Sequence, residues 1–464
     1  MLNIINKTIE QVRSRYGLAG GILVAVKDGE CILKHCFGDA DVQSKRPIDE
    51  NTLFQVASCS KAFTTMIAGQ LCDEGKMTWD TPVKELMPDF AMEDKYAEAR
   101  VTPRDMGCHR TGLSRHDAMR KFVRDDRADL VRRIAWFPPV YSFRERYSYQ
   151  NQMYGALGHL CERLTGQTWE QLLTERIGKP LGMEMYFRGH CDIHQLNAAM
   201  PYSQRNGKVF RVPEVVGQAS NPCGGLYVSA NSLEKWLYAL CGKGEYNGKR
   251  LISEKGFAEL IKPNVVVPGR PLHAEELQRE YALAWTTAVY KGHPIAYHSG
   301  STSGFNSMVG FFPEQNMAYA LSVNTEPTPA YSVLSYLLRD ILLDDVQSDY
   351  SLLIDRYDRT VKQGPDYAED EMGDLPLTAA EAAVFCGRYE NPGYGLLEFS
   401  YENGRLRLRY GLTDQEFNRV SPNKFVGYDA VGGNTFRAEF GESGDLTMRF
   451  SVDAVCPIHF ERAR

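Results

Sequence analysis

The hydrophobic period changes several times along the chain, and each change marks an element. In residues 20–38, "GGILVAVKDGECILKHCFG", two apolar, β-branched runs flank Asp28-Gly29. That dipeptide suits a two-residue hairpin turn, so the segment is expected to be a β-hairpin. "YALAWTTAVYKG" (281–292) and "NSMVGFFPEQNMAYALSVN" (306–324) read as further strands. Segments 150–164 and 229–241 carry the three- and four-residue spacing of helices. The opening "MLNIINKTIEQVRSRYG" starts an amphipathic helix. In "LFQVASCSKAFTTMIAGQLCDEGK" (53–76), an extended "VAS" leads into Ala62, Phe63, Met66, Ile67 and Leu71 at helical spacing, closed by Gly75. Strands from both ends of a domain around a helical block predict an α+β architecture.

The pattern shifts after about Leu343. "DDVQSDYSLLIDRYDRTVKQGPDYAEDEMGDLP" is polar and mostly acidic, which reads as a tether, in part helical, over 346–376. From Leu377 to Arg464 short alternating runs surround turn signals at Asn403-Gly404 and Ser443-Gly444, predicting a small antiparallel barrel or sandwich. The division expected is therefore 1–345, 346–376 and 377–464.

Composition narrows the function classes. A net charge of −6 against 53 basic residues gives no footprint for nucleic acid. No run of 18 apolar residues predicts a membrane span, and the first residues lack the pattern of a secretion signal, so a cytoplasmic location is expected. The eleven cysteines form no C-x-x-C pair and read as reduced core thiols, Cys59 among them. His190, Cys191 and His194 lack a fourth ligand at useful spacing, so no metal or other cofactor is expected.

The chemistry gathers at Ser58-Cys59-Ser60-Lys61. Three residues along a helix place Lys61 about one turn beyond Ser58, on the same face. An N-cap and a solvated lysine would read alike, but two further pieces follow in order. Tyr149-Gln150-Asn151 enters the 150–164 helix, and His298-Ser299-Gly300 precedes a strand. S-x-x-K, Y-x-N and H-x-G in this order resemble the β-lactamase-related serine hydrolases, the class C or CubicO-type family. "GKMTWDTPVKELMPDF" and "NPCGGLYVSANSLEKW" resemble the same family's connecting segments, and the likeness covers about residues 15–340.

The resemblance implies a β-lactamase/transpeptidase-like domain, an antiparallel sheet with a helical block, followed by a lipocalin-like barrel. It implies a serine hydrolase working through an acyl-enzyme on small amides, short peptides containing D-residues, or esters. Acyl transfer, true β-lactamase or penicillin-binding activity, and a catalytically idle binder are the alternatives. Self-association is left open. By the same resemblance, Ser58 is the nucleophile, and Lys61 and Tyr149 share the proton work, the base being undecided between them. Asn151, His298 and Gly300 support or bind substrate, and the backbone amides of Ser58 and Ser301 form the oxyanion hole. His298 stands where many β-lactamases carry a lysine. Arg110 stands in a loop expected to flank the cleft, as a receptor for a substrate carboxylate or as a surface residue. Trp136, Phe137, Tyr141, Phe143 and Trp285 are read as an apolar wall or as core.

Overall fold

The hairpin strand Gly20–Lys27 is apolar at nearly every position because both of its faces are buried. Ile22, Val24 and Val26 pack toward the helical block. Leu23 and Ala25 face the opposite layer, built from the helices Leu2–Tyr16 and Ala330–Leu342. Its turn forms as expected, with Asp28 and Gly29 both at positive φ.

This strand sits within a nine-stranded antiparallel sheet. The order is Val265–Val266, Glu276–Tyr281, Thr286–Tyr290, His293–Thr302, Phe305–Phe312, Met317–Val323, Gly20–Lys27, Glu30–Asp41, Arg46–Pro47. The computed structural model describes residues 1–464 except 191, 206, 216, 362–372, 412, 430–433, 443, 451–455 and 464. The 306–324 run is a hairpin, and the 281–292 run splits at the residues between Tyr281 and Thr286. Helices Asn151–Thr165 and Ala230–Cys241 match the periodic segments closely, each capped by the side chain of the residue before it, Gln150 and Ser229.

Within the segment read as a tether, Ser351–Val361 is a helix laid along the N-terminal one. Leu353 and Ile354 are buried there, and Asp358 accepts hydrogen bonds from Arg15 and Tyr16. Beyond it, eight antiparallel strands from Gly387–Asn391 to Ile458–Arg462 close into a barrel. Phe399, Phe417, Phe425, Phe440 and Tyr389 fill its interior. Asn403 and Gly404 both adopt positive φ in the expected turn, while Ser443 lies outside the described residues.

Candidate active site

Ser58 lies on a short 3-10 turn, Ala57–Cys59, which feeds the helix Ser60–Asp73. The helical pattern therefore starts two residues later than the hydroxyl it presents. Ala57 sits at φ +47, a conformation costing a non-glycine residue on the order of 1 kcal/mol. Surrounding bonds hold it: Ser60 Oγ donates to Ala57 O at 2.7 Å and accepts from the Leu226 amide at 3.2 Å. The strand His293–Thr302 passes so close to this turn that a Cβ on Gly300 would collide with the Val56 carbonyl and lie 3.2 Å from the Ser58 amide nitrogen. Gly300 is thus fixed by space, and Ser301, next on the strand, is carried to the same opening.

Lys61 is fully buried, with Nζ 3.0 Å from Ser58 Oγ. It also donates to Asn151 Oδ1 and to Cys223 O, both at 2.8 Å. Burial lowers its pKa to about 8, opposed by Cys223 and Asp117 and helped by Arg115 and Arg120. The Asn151 amide has one orientation available. Its Nδ2 donates to both oxygens of Asp117 at 3.0 Å, which leaves Oδ1 for Lys61. Asp117 is fully buried; its carboxyl is held down at about 2, against burial, chiefly by the charges of Arg120 and Arg115.

The Tyr149 ring centroid is 4.8 Å from Lys61 Nζ, and its hydroxyl lies near Ser58. Burial pushes its hydroxyl well above the usual phenol range, so the phenolate is disfavoured. Beneath it lies the buried His109, 4.2 Å away ring to ring, whose Nδ1 accepts from the Gln150 amide. Tyr147, Tyr154 and Tyr281 complete this aromatic floor.

His298 is buried and neutral. Its Nδ1 lies 2.6 Å from Ser299 O and its Nε2 2.8 Å from Tyr281 Oη, so Nδ1 carries the proton and Nε2 accepts. Burial and the nearby Lys61 lower its pKa to about 3. The third motif therefore brings no positive charge to the cleft. Cys59 lies behind it, donating to His298 O, its thiol raised to about 12 by burial.

Other expectations are revised by position. Arg110 donates to the buried Asp105, which also binds Arg144, and so serves a loop anchor. Of the aromatic residues read as wall or core, Trp285 packs edge-on against Phe311 in the core, Phe137 is buried and stacks on His116, and Trp136 is exposed. His190 faces Glu170 and His194 faces Glu214, while Cys191 lies outside the described residues. Asp117, Arg115 and Tyr281 were not singled out from sequence. Asp117 meets Asn151 across 34 residues, and the stretch around it carries no motif.

An antiparallel sheet backed by helices, with a serine, a buried lysine and a tyrosine at its opening, defines an active-site serine hydrolase fold. The chain belongs to the beta-lactamase family, whose model matches residues 5–343. It is 26% identical to the unguisins hydrolase of Aspergillus campestris, over 87% of this chain and 78% of that one. An octameric penicillin-binding protein homologue from Pyrococcus abyssi has the same fold over 99% of both chains, at 19% identity and a TM-score of 0.62. A class C beta lactamase from Rhodobacter sphaeroides covers 74% of this chain and 99% of its own, at 19% identity and a TM-score of 0.59. Among the described residues no helix is long and apolar enough to cross a membrane.

Proposed function

We propose that the protein hydrolyses small amides, short peptides with D-residues, or esters through an acyl-enzyme on Ser58. The observation that carries this reading is the surroundings of Lys61. Two of its three polar contacts are to obligate acceptors, Asn151 Oδ1 and Cys223 O. A neutral amine has only two protons, and both are claimed there, so its lone pair faces Ser58 Oγ. With a pKa of about 8, roughly a tenth of the lysine is neutral at pH 7.

Lys61 then takes the Ser58 proton as Oγ attacks the carbonyl carbon, and the amides of Ser58 and Ser301 receive the oxyanion. Tyr149, kept as a phenol, passes that proton to the leaving group and is reprotonated from Lys61. Water repeats the steps in reverse order to release the acid. The neutral His298 supports the strand and leaves the third motif without a fixed cation, which favours esters and small amides over β-lactams. The relative named as an unguisins hydrolase supports hydrolysis as the reaction class. The division at 345 and 377, with all of this machinery in the first part, belongs to the same proposal.

The test is labelling with a fluorophosphonate followed by intact-mass and peptide analysis. We expect one adduct, on Ser58, none in Ser58→Ala, and a loss of at least a thousandfold in ester turnover in that variant. Turnover within tenfold of wild type in Ser58→Ala would overturn the assignment.

A further inference from the structure

We propose that Arg115 is the cleft's receptor for a substrate carboxylate, placed next to the scissile bond. This rests on the hydrolase reading above and names the substrate class: short acyl or peptide compounds bearing a free carboxylate.

The two positions from which sequence would supply a cation are both spent. His298 is buried and neutral between Ser299 O and Tyr281. Arg110 is bound to Asp105. Arg115 differs from both. Its Nε donates to Asp117 Oδ2 at 3.0 Å, and its Cζ lies 5.1 Å from the Tyr149 ring centroid. The side chain remains 45% exposed, and among the described residues its two Nη groups have no hydrogen-bond partner. One edge of the guanidinium is thus fixed and the other is open. That open edge matches the paired oxygens of a carboxylate.

Asp117 does not cancel the charge. It is 1% exposed and already bound to Asn151 and to a second guanidinium, Arg120, so two cations surround one anion. The Tyr149 ring has Lys61 Nζ within 4.8 Å and Arg115 Cζ within 5.1 Å of its centroid. Lys61 and Arg115 thus both border the Tyr149 ring, so a ligand on Ser58 that reaches Arg115 has its carboxylate near the reacting carbonyl.

A carboxyl lies beside Ser301. Ser301 Oγ donates to Glu326 Oε1 at 3.1 Å. Burial raises this carboxyl to about 7, so it is partly charged at neutral pH and would repel an anion there. The substrate's carboxylate is therefore directed to the Arg115 side.

The probes are 3-carboxyphenylboronic acid and its 3-carbamoyl analogue, which bind an active serine and differ by one charge. Their dissociation constants are read as protection of Ser58 from the fluorophosphonate, in wild type, Arg115→Ala and Arg115→Lys, with circular dichroism to establish folding. We expect wild type to prefer the carboxylate at least tenfold. Arg115→Ala should bring the ratio close to one, and Arg115→Lys should restore part of it, since the lysine returns the charge without the fork. Equal affinities in wild type, or an unchanged ratio in Arg115→Ala, would overturn the proposal. If wild-type Ser58 takes no label at all, the hydrolase reading falls and this one with it. If Ser58 labels and the ratio is one, only this inference fails.

Discussion

At the scale of single residues, the site is a chain of fixed hydrogen-bond directions. Asp117 can only accept, so Asn151 must present Nδ2 to it and Oδ1 to Lys61. The orientation of Lys61, the proposed base, is therefore set by a carboxylate that does not reach it directly. Two expectations follow. Acylation needs the neutral amine, so kcat/KM should rise with pH through an apparent pKa near the lowered value of about 8. Asp117→Asn should lower kcat/KM at least tenfold and also move that acid limb to lower pH. The sign comes from the charges: Asp117 favours the ammonium, while Arg115 and Arg120 oppose it, so removing the anion makes Lys61 easier to deprotonate. Cys223 also raises the lysine and is unchanged in the variant. A limb that stays in place, with only a fall in melting temperature, would reduce Asp117 to a packing role. Full pH–rate profiles of both proteins make the comparison.

At the scale of elements, the decisive contact is between the turn that carries Ser58 and the His293–Thr302 strand. The strained Ala57 and the side-chain-free Gly300 exist to let these two backbones meet. Gly300→Ala should push the strand off the Val56 carbonyl and displace the amides of Ser58 and Ser301 from the oxyanion. We expect kcat/KM to fall at least a hundredfold, on the scale of losing one oxyanion donor, with a destabilisation of about 1–3 kcal/mol. Near-wild-type turnover would show that the close approach is dispensable. Much of this level could be read from sequence. Helical spacing located 150–164 and 229–241 to within a residue or so, and Asp28-Gly29 and Asn403-Gly404 identified their hairpins. The three short motifs marked the residues that meet at Ser58. What stayed hidden depends on long-range packing. Leu113 to Lys121 has no period, so Arg115 and Asp117 carried no signal. Arg110 looked available because Asp105, only five residues earlier, turns toward it at the end of the short helix Pro103–Gly107, a pairing that carries no pattern in the sequence. The aromatic residues of 136–143 and Trp285 could not be told from core, since hydrophobicity reports burial without saying against what. The 346–376 segment read as polar, yet Leu353 and Ile354 suffice to dock its helix.

At the scale of the whole molecule, the barrel is seated on the same short stretch that carries Asp117. Arg133 donates to the carbonyls of Pro392 and Gly393, and Phe122 stacks on Tyr410. A Cβ on Gly411 would overlap the Lys121 carbonyl, so the two backbones touch directly. At the centre is His116, stacked on Phe137 at 4.5 Å. Its Nε2 lies 3.3 Å from Pro138 O and so carries the proton, which leaves Nδ1 to accept from the Tyr394 hydroxyl at 2.9 Å. Burial lowers this imidazole from 6.5 to about 4, although the Pro138 carbonyl and Asp117 favour the charged form. The folded value lies below the unfolded one, so protonation opposes folding. Above pH 6.5 both states are neutral and the contribution is complete. Between 6.5 and about 4 only the unfolded chain takes the proton, and stability falls by up to about 3 kcal/mol. His109 and His298 are lowered as well and act in the same direction, so His116 accounts for part of the slope. Melting temperatures of wild type and His116→Gln, measured from pH 7 to pH 4.5, separate its share. Glutamine keeps a hydrogen-bonding side chain without the titration, so its curve should fall less steeply even if it starts lower. Parallel curves would mean that acid sensitivity lies elsewhere and that protonation at the barrel seat does not govern it.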